Sequence, residues 1–135
     1  MIRNALFAAP VAVVAMVAAP AALAAEPIPF TQAAFEQAQA QNKPILVDVY
    51  APWCPVCRAQ EPIIERMAAM PENADLVIFR VDFDSQKDVL RRFGAQRQST
   101  LIAYRGREET GRNVGVTAYF EIDRLLATTR AASAR

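Results

Sequence analysis

The chain contains no histidine, only two cysteines, and no proline beyond Pro71. Without imidazole ligands, two cysteines cannot complete the four-ligand shell of zinc within one chain. Nor can they build a disulfide framework, and a chain of 135 residues buries enough core not to need one. Charge of one sign is missing too. Fifteen Lys and Arg stand against 14 Asp and Glu, for a net charge of +1, with no basic run interleaved with aromatics. That excludes the electrostatic footprint of a nucleic-acid binder. No internal repeat occurs, and no low-complexity segment beyond the N-terminus.

What is present begins with a leader pattern. Met1-Ile2-Arg3-Asn4 carries one positive charge, and Ala5 to Ala25 is almost wholly apolar, broken by Pro10 and Pro20. It closes on Ala22-Leu23-Ala24. A basic start, an apolar stretch and a small-x-small ending predict a secretory signal peptide over 1–24, with cleavage after Ala24, and a single domain over 25–135. The competing reading is an uncleaved anchor, since the stretch approaches the roughly 20 residues that span a bilayer. Cleavage removes only Arg3 among the charges, leaving 14 of each sign. Export places the cysteines in an oxidising compartment, where a pair kept reduced must be fed electrons.

Along the remaining chain, 26–30 reads as a linker or edge strand, because its prolines cannot donate to a ladder. Thr31 is the expected N-cap of a helix running to about Asn42, with Ala34, Phe35 and Ala38 on one face. Ile45–Tyr50 is a β-branched apolar run, the signature of a buried strand. A helix follows from Pro55 to about Met70, with Pro62 expected to kink it. Leu76–Phe83 reads as a second buried strand. Ser85–Phe93 reads as a helix with Val89, Leu90 and Phe93 inward, closed by Gly94. Thr100–Tyr104 and Glu108–Val114 flank Arg105-Gly106-Arg107 as a hairpin. Thr117 to about Arg130 is the last helix, with Phe120, Leu125 and Leu126 among its apolar positions. The order β-α-β-α-β-α-β-β-α predicts an α/β fold with a mixed sheet and helices on both faces.

The chemistry gathers at Trp53-Cys54-Pro55-Val56-Cys57. This places the two cysteines at the start of a helix, just after a strand ends. A thiol there meets the positive end of the peptide dipoles and unpaired N–H groups, which favour thiolate over thiol. Two such thiols one turn apart can close a disulfide on each other. Pro55 suits the first turn, and its missing N–H removes one possible donor to the Cys54 sulfur. Competing readings are a purely structural disulfide and a metal shared with a second chain.

This strand–WCxxC–helix unit, with the element order around it, resembles the thioredoxin family over about Ile28 to Thr129. Asp48 on the Ile45–Asp48 strand matches the family's buried acid, Trp53 the tryptophan before the attacking cysteine, and Pro62 the proline of the active-site helix. Val81-Asp82, Thr100-Leu101, the Arg105-Gly106 turn and Gly115 fall in register with the later strands. Three departures stand out. Pro-Val lies between the cysteines, where thioredoxin has Gly-Pro and strongly oxidising periplasmic relatives have Pro-His. The lysine beside the family's buried acid falls on Ile78, which cannot pair with Asp48. The family's cis-proline falls on Ser99.

The resemblance implies a thioredoxin-like fold and a thiol–disulfide oxidoreductase, with Cys54 and Cys57 as the redox-active disulfide. Cys54, by position the more exposed, attacks a substrate disulfide, and Cys57 resolves the mixed disulfide. Asp48, if buried without a cation, has a raised pKa and takes the proton from Cys57; the alternative is a strand-end polar residue reaching water. Trp53 is either an apolar wall for substrate contact, a core aromatic, or both. Ser99 and Thr100 lie where the family's substrate segment pairs. A cis bond before serine costs about 2.5–4 kcal/mol, so the Gln98–Ser99 bond is expected to be trans, in a reshaped loop.

With no imidazolium available, the expected role is reductant or electron relay rather than oxidant. The implied partners are proteins with disulfides or dithiols and a membrane thiol electron donor, in the bacterial periplasm, with the chain a monomer and no nucleic acid bound. No cofactor and no resident metal are called for. The alternative function is a thioredoxin-fold binding module whose CxxC holds a metal or Fe–S cluster between two chains.

Overall fold

A computed structural model of the chain describes Met16 and residues 23–131. The expected signal peptide over 1–24 therefore lies almost wholly outside the described residues. No helix among the described residues is long and apolar enough to cross a membrane.

The elements follow the expected order. They are β1 (Ile28–Pro29), α1 (Gln32–Ala40), β2 (Pro44–Tyr50), α2 (Pro55–Ala68), a short 3-10 turn (Pro71–Asn73), β3 (Val77–Asp82), α3 (Lys87–Phe93), β4 (Thr100–Arg105), β5 (Glu108–Val114) and α4 (Tyr119–Ala131). The five strands lie in the order β1-β3-β2-β4-β5. β1 and β2 run parallel to β3, and β4 and β5 close the other side antiparallel.

β2 is central, and its alternation divides the core. Ile45, Val47 and Val49 face one layer with Phe30, Phe35, Phe79, Val81, Val89 and Leu90, beneath α1 and α3. Leu46 faces the other with Ile64, Met67, Ile78, Leu101, Ile122 and Leu126, beneath α2 and α4. A period of two puts Asp48 on that second face, under α2. It is an ionisable residue in a strand buried from Pro44 to Val49.

Local chemistry sets the boundaries. Thr31 caps α1, its hydroxyl accepting the Ala34 N–H at 3.2 Å. Gly94 ends α3 in the left-handed conformation, φ 63°. α2 continues through Pro62 without a break. Pro62 is exposed, as is Arg58, whose carbonyl loses its helical donor there. Gly106 turns the β4–β5 hairpin at φ 56°, where an added Cβ would lie 2.6 Å from Asn42 Oδ1.

Not every apolar position of α4 is buried. Phe120 is 72% exposed. The buried stripe of α4 is Ile122, Leu125, Leu126 and Thr129, and a residue two positions before Ile122 falls on the opposite side of that stripe.

Candidate active site

Cys54 is the N-cap of α2, with extended backbone (φ −84°, ψ 111°), and Pro55 is the first helical residue. Its sulfur accepts the Cys57 N–H at 3.1 Å, taking the part that a serine or aspartate oxygen plays in an ordinary cap. Cys54 and Cys57 are joined by a disulfide, with Cα atoms 5.3 Å apart.

The expected exposure of Cys54 is corrected. Cys54 is 0% exposed and Cys57 2%. Ala51 is buried with them, and Tyr50, Val56 and Phe83 pack around the pair. These neighbours come from the strand end, the helix and the β3–α3 loop, so the cover is tertiary.

Trp53, by contrast, is 52% exposed, which excludes the core-aromatic reading. Its ring stands edge-on to Phe83, centroids 6.2 Å apart. Its Nε1 donates to Asp84 Oδ2 at 2.9 Å. The turn carrying Phe83 and Asp84 is fixed by Asp82, whose Oδ1 accepts the N–H groups of Asp84 and Ser85 at 2.9 Å each. Those bonds, with that from Ser85 foremost, hold the Asp82 carboxyl below the usual carboxylate range. Trp53 is therefore an anchored apolar wall beside the disulfide.

Asp48 is buried, and it is not without a cation. Ile78 is a core residue, but Arg80, two positions along β3 and on the same face, donates from Nε and Nη2 to Asp48 Oδ2, both at 3.2 Å. Its Nη1 reaches Glu61 Oε1 at 3.2 Å, and its guanidinium lies 4.0 Å from the Tyr50 ring centroid. The parallel register pairs Asp48 with Arg80 directly. Burial still raises the Asp48 carboxyl above its ordinary value; the charge and hydrogen bonds of Arg80 oppose this, and the negative charge of Glu61 adds to it. The raised direction therefore agrees with the sequence reading, while the missing partner does not.

Ser99 and Thr100 are buried. No peptide bond among the described residues is cis, and Ser99 adopts φ 58°, a left-handed conformation that costs a non-glycine residue roughly 1–3 kcal/mol. Its N–H donates to Val49 O at 2.8 Å, and its carbonyl accepts the Gly115 N–H at 3.0 Å. The Thr100 hydroxyl donates to Arg97 O at 2.7 Å. Val49 O also lies 3.8 Å from Cys57 Sγ, so the Ser99 loop is tied to the strand beside Cys57.

Gln60 lies behind the Ser99 loop, on the buried stripe of α2. It is 0% exposed, and its Nε2 donates to Ser99 O at 3.3 Å and to Val116 O at 2.8 Å. Its Oε1 is buried with no hydrogen-bond partner, a situation that costs about 1–3 kcal/mol. The readable signal for Gln60 was its place on the buried stripe Cys57, Gln60, Ile64, Met67. For Arg80 it was the alternation of β3. Glu61, Phe83 and Asp84 carried no signal in sequence. Among the described residues, no group of three or more Cys, Asp or Glu is placed to hold a metal.

The thioredoxin family model matches residues 26–128. The chain belongs to the thioredoxin family. It is 32% identical over 98 residues to a thioredoxin of Alicyclobacillus acidocaldarius, a match covering 72% of this chain and 91% of that one. The match to an H-type thioredoxin of Brassica campestris is 36% over 78 residues, covering 58% of this chain and 62% of that protein. A bifunctional thioredoxin reductase/thioredoxin of Mycobacterium leprae matches over only 18% of its own length. Among solved structures, Trxlp from Edwardsiella tarda EIB202 superposes with a TM-score of 0.71 at 47% identity, over 73% of this chain and 95% of that one. The Cys54–Cys57 pair fits the CxxC active site of that family, and the chain is a thiol–disulfide oxidoreductase.

Proposed function

We propose that this thioredoxin-family domain works outside the cytoplasm, in the bacterial periplasm, as a reductant or electron relay for protein disulfides. The carrying observation is the disulfide between the N-cap Cys54 and Cys57, with a helix N–H already directed at the Cys54 sulfur. That N–H and the helix dipole favour the Cys54 thiolate in the reduced protein.

The thiolate attacks one sulfur of a client disulfide, forming a mixed disulfide and releasing the client's other sulfur as thiolate. Cys57 loses its proton to Asp48, whose burial supports that role, and attacks Cys54 Sγ. The Cys54–Cys57 bond closes and the client leaves as a dithiol, two electrons richer. Trp53 supplies the apolar wall against which the client packs, and Ser99 and Thr100 shape the floor beside the sulfurs. A membrane thiol donor returns the two electrons, since a leader over 1–24 removes the protein from cytosolic reductants. The absence of histidine from the chain leaves no imidazolium to stabilise the thiolate further, which supports the reducing direction.

Dithiothreitol-driven reduction of insulin by the purified protein, lost in Cys54→Ser, tests the chemistry. The reduction potential tests the direction. A value above roughly −150 mV, near that of strong periplasmic oxidants, overturns the reductant role.

A further inference from the structure

We propose that Gln60 is a positioning residue for client recognition: its buried carboxamide ties the Ser99 loop and the Val116 loop to α2, beside the disulfide. The inference rests on the reductase reading above and deepens it.

Gln60 sits one turn beyond Cys57 on the same buried stripe of α2. Its two amide hydrogens have separate destinations, Ser99 O and Val116 O. A third bond, from Gly115 N–H to Ser99 O, closes the link between the two loops. One side chain thus couples the Ser99 and Val116 loops to the helix that carries the cysteines.

The arrangement carries two unfavourable features. Gln60 Oε1 is buried without a donor, and Ser99 holds a left-handed backbone without being glycine. A leucine at position 60 would bury more cheaply, and a glycine at position 99 would fit the turn without strain. Strained positions of this kind persist where surrounding contacts over-determine them, and they cluster at functional sites. Here the over-determining contacts are those of Gln60, Val49 and Gly115.

The consequence concerns specificity. Ser99 has both backbone groups engaged inside the chain, so in this conformation a client strand finds no free N–H or carbonyl there. Client binding then depends on the shape in which Gln60 holds these loops, together with the exposed Trp53. A small disulfide makes no such contacts and needs only the sulfurs.

The test compares the parent with Gln60→Met, which matches its length and lacks its donors. KM for insulin should rise on the order of tenfold, the loss of about one hydrogen bond's worth of positioning. The rate with 5,5′-dithiobis(2-nitrobenzoate) should not fall. Adding Ser99→Gly to Gln60→Met should recover much of the KM, because glycine holds the left-handed turn without the clamp. If Gln60→Met does not fold, Gln60→Asn replaces it; that side chain keeps an amide but is one methylene too short for both carbonyls, and the same split is expected. An unchanged insulin KM overturns the inference, as does an equal fall in both activities. A parent that cannot reduce insulin at all defeats the underlying reductase reading instead.

Discussion

Replacing Arg80 with glutamine should destabilise the oxidised protein, and the loss should grow with pH. Arg80 is the cation within hydrogen-bond reach of the buried Asp48 carboxylate, donating twice to Oδ2. Removing one member of a buried ion pair costs about 3–5 kcal/mol when the other stays charged. The lower end applies here, about 3 kcal/mol, because the Arg80 side chain is 27% exposed. The sign of the pH dependence follows from the direction of the Asp48 shift. Its folded pKa lies above the ordinary 3.8, with burial the largest cause. The folded state therefore binds a proton that the unfolded chain has released. The stability this proton confers is complete below the unfolded value and disappears as pH rises through the folded one. Without Arg80 the carboxyl keeps its burial and the repulsion of Glu61 and loses its opposing cation, so the falling limb extends to higher pH. Urea melts of parent and Arg80→Gln, both oxidised so that no thiol titrates, should show a small difference at pH 5. At pH 8 the gap should approach ~3 kcal/mol, a drop in Tm of roughly 12 °C at ~4 °C per kcal/mol. In an Asp48→Asn background the pH dependence of the Arg80 substitution should vanish. A penalty equal at pH 5 and pH 8, or one undiminished in that background, refutes the coupling.

Cys57→Ser should accumulate a client–Cys54 mixed disulfide, visible as a band that dithiothreitol removes; if none forms with a client that the parent reduces, Cys57 is not the resolving thiol. Asp48→Asn should slow resolution and lengthen the life of the same adduct formed by the parent sequence, and unchanged turnover removes Asp48 from proton transfer. Trp53→Ala should raise KM for insulin on the order of severalfold while changing stability by no more than about 1 kcal/mol, because the ring is half exposed; an unchanged KM removes it from client contact. Gly106→Ala should cost about 1–3 kcal/mol in a urea melt, from a left-handed φ and a Cβ 3.3 Å from Asn42 Cα; parent-like stability shows that the hairpin relaxes freely.

The elements that could be read from sequence were those whose pattern is local. Val47 and Val49 announced β2, Thr31 announced the start of α1 and Gly94 the end of α3, and the cysteine spacing announced the site. What escaped depended on register or on packing between distant segments. Arg80 lies beside Asp48 because β2 and β3 pair in parallel with those two residues opposed, and neither strand alone fixes that alignment. The burial of Cys54 depends on Phe83, 29 positions on, folding back against the pair. Gln60 was a polar residue on an apolar helix stripe, a visible anomaly whose partners, Ser99 and Val116, are known only once the loops are placed. Phe120 shows that an apolar position need not be a buried one. An aromatic near a helix start raises the apparent apolar content of the segment whichever way it faces, and this one faces water.

Two departures from the thioredoxin pattern thus meet a substitute elsewhere in the fold. With Ile78 where that pattern has a lysine, the charge opposing Asp48 comes from two residues further along β3. Side chains two apart share a face, so the cation still reaches the acid, one pleat along and shared with Glu61. With Ser99 where the pattern has proline, the turn is held by hydrogen bonds between its backbone and Gln60, Gly115 and Val49, in place of a ring that fixes φ. Both substitutes depend on α2, through Glu61 and Gln60, the residues one turn beyond Cys57. A ring constrains its own residue alone, whereas a side-chain clamp couples the loop to the helix that carries the sulfurs. Displacing α2 by the width of a hydrogen bond would loosen the Asp48 cluster and the Ser99 turn together. The cysteines set which reaction is possible; Gln60, and Glu61 through Arg80, tie the loop and the acid to the one helix that carries the cysteines.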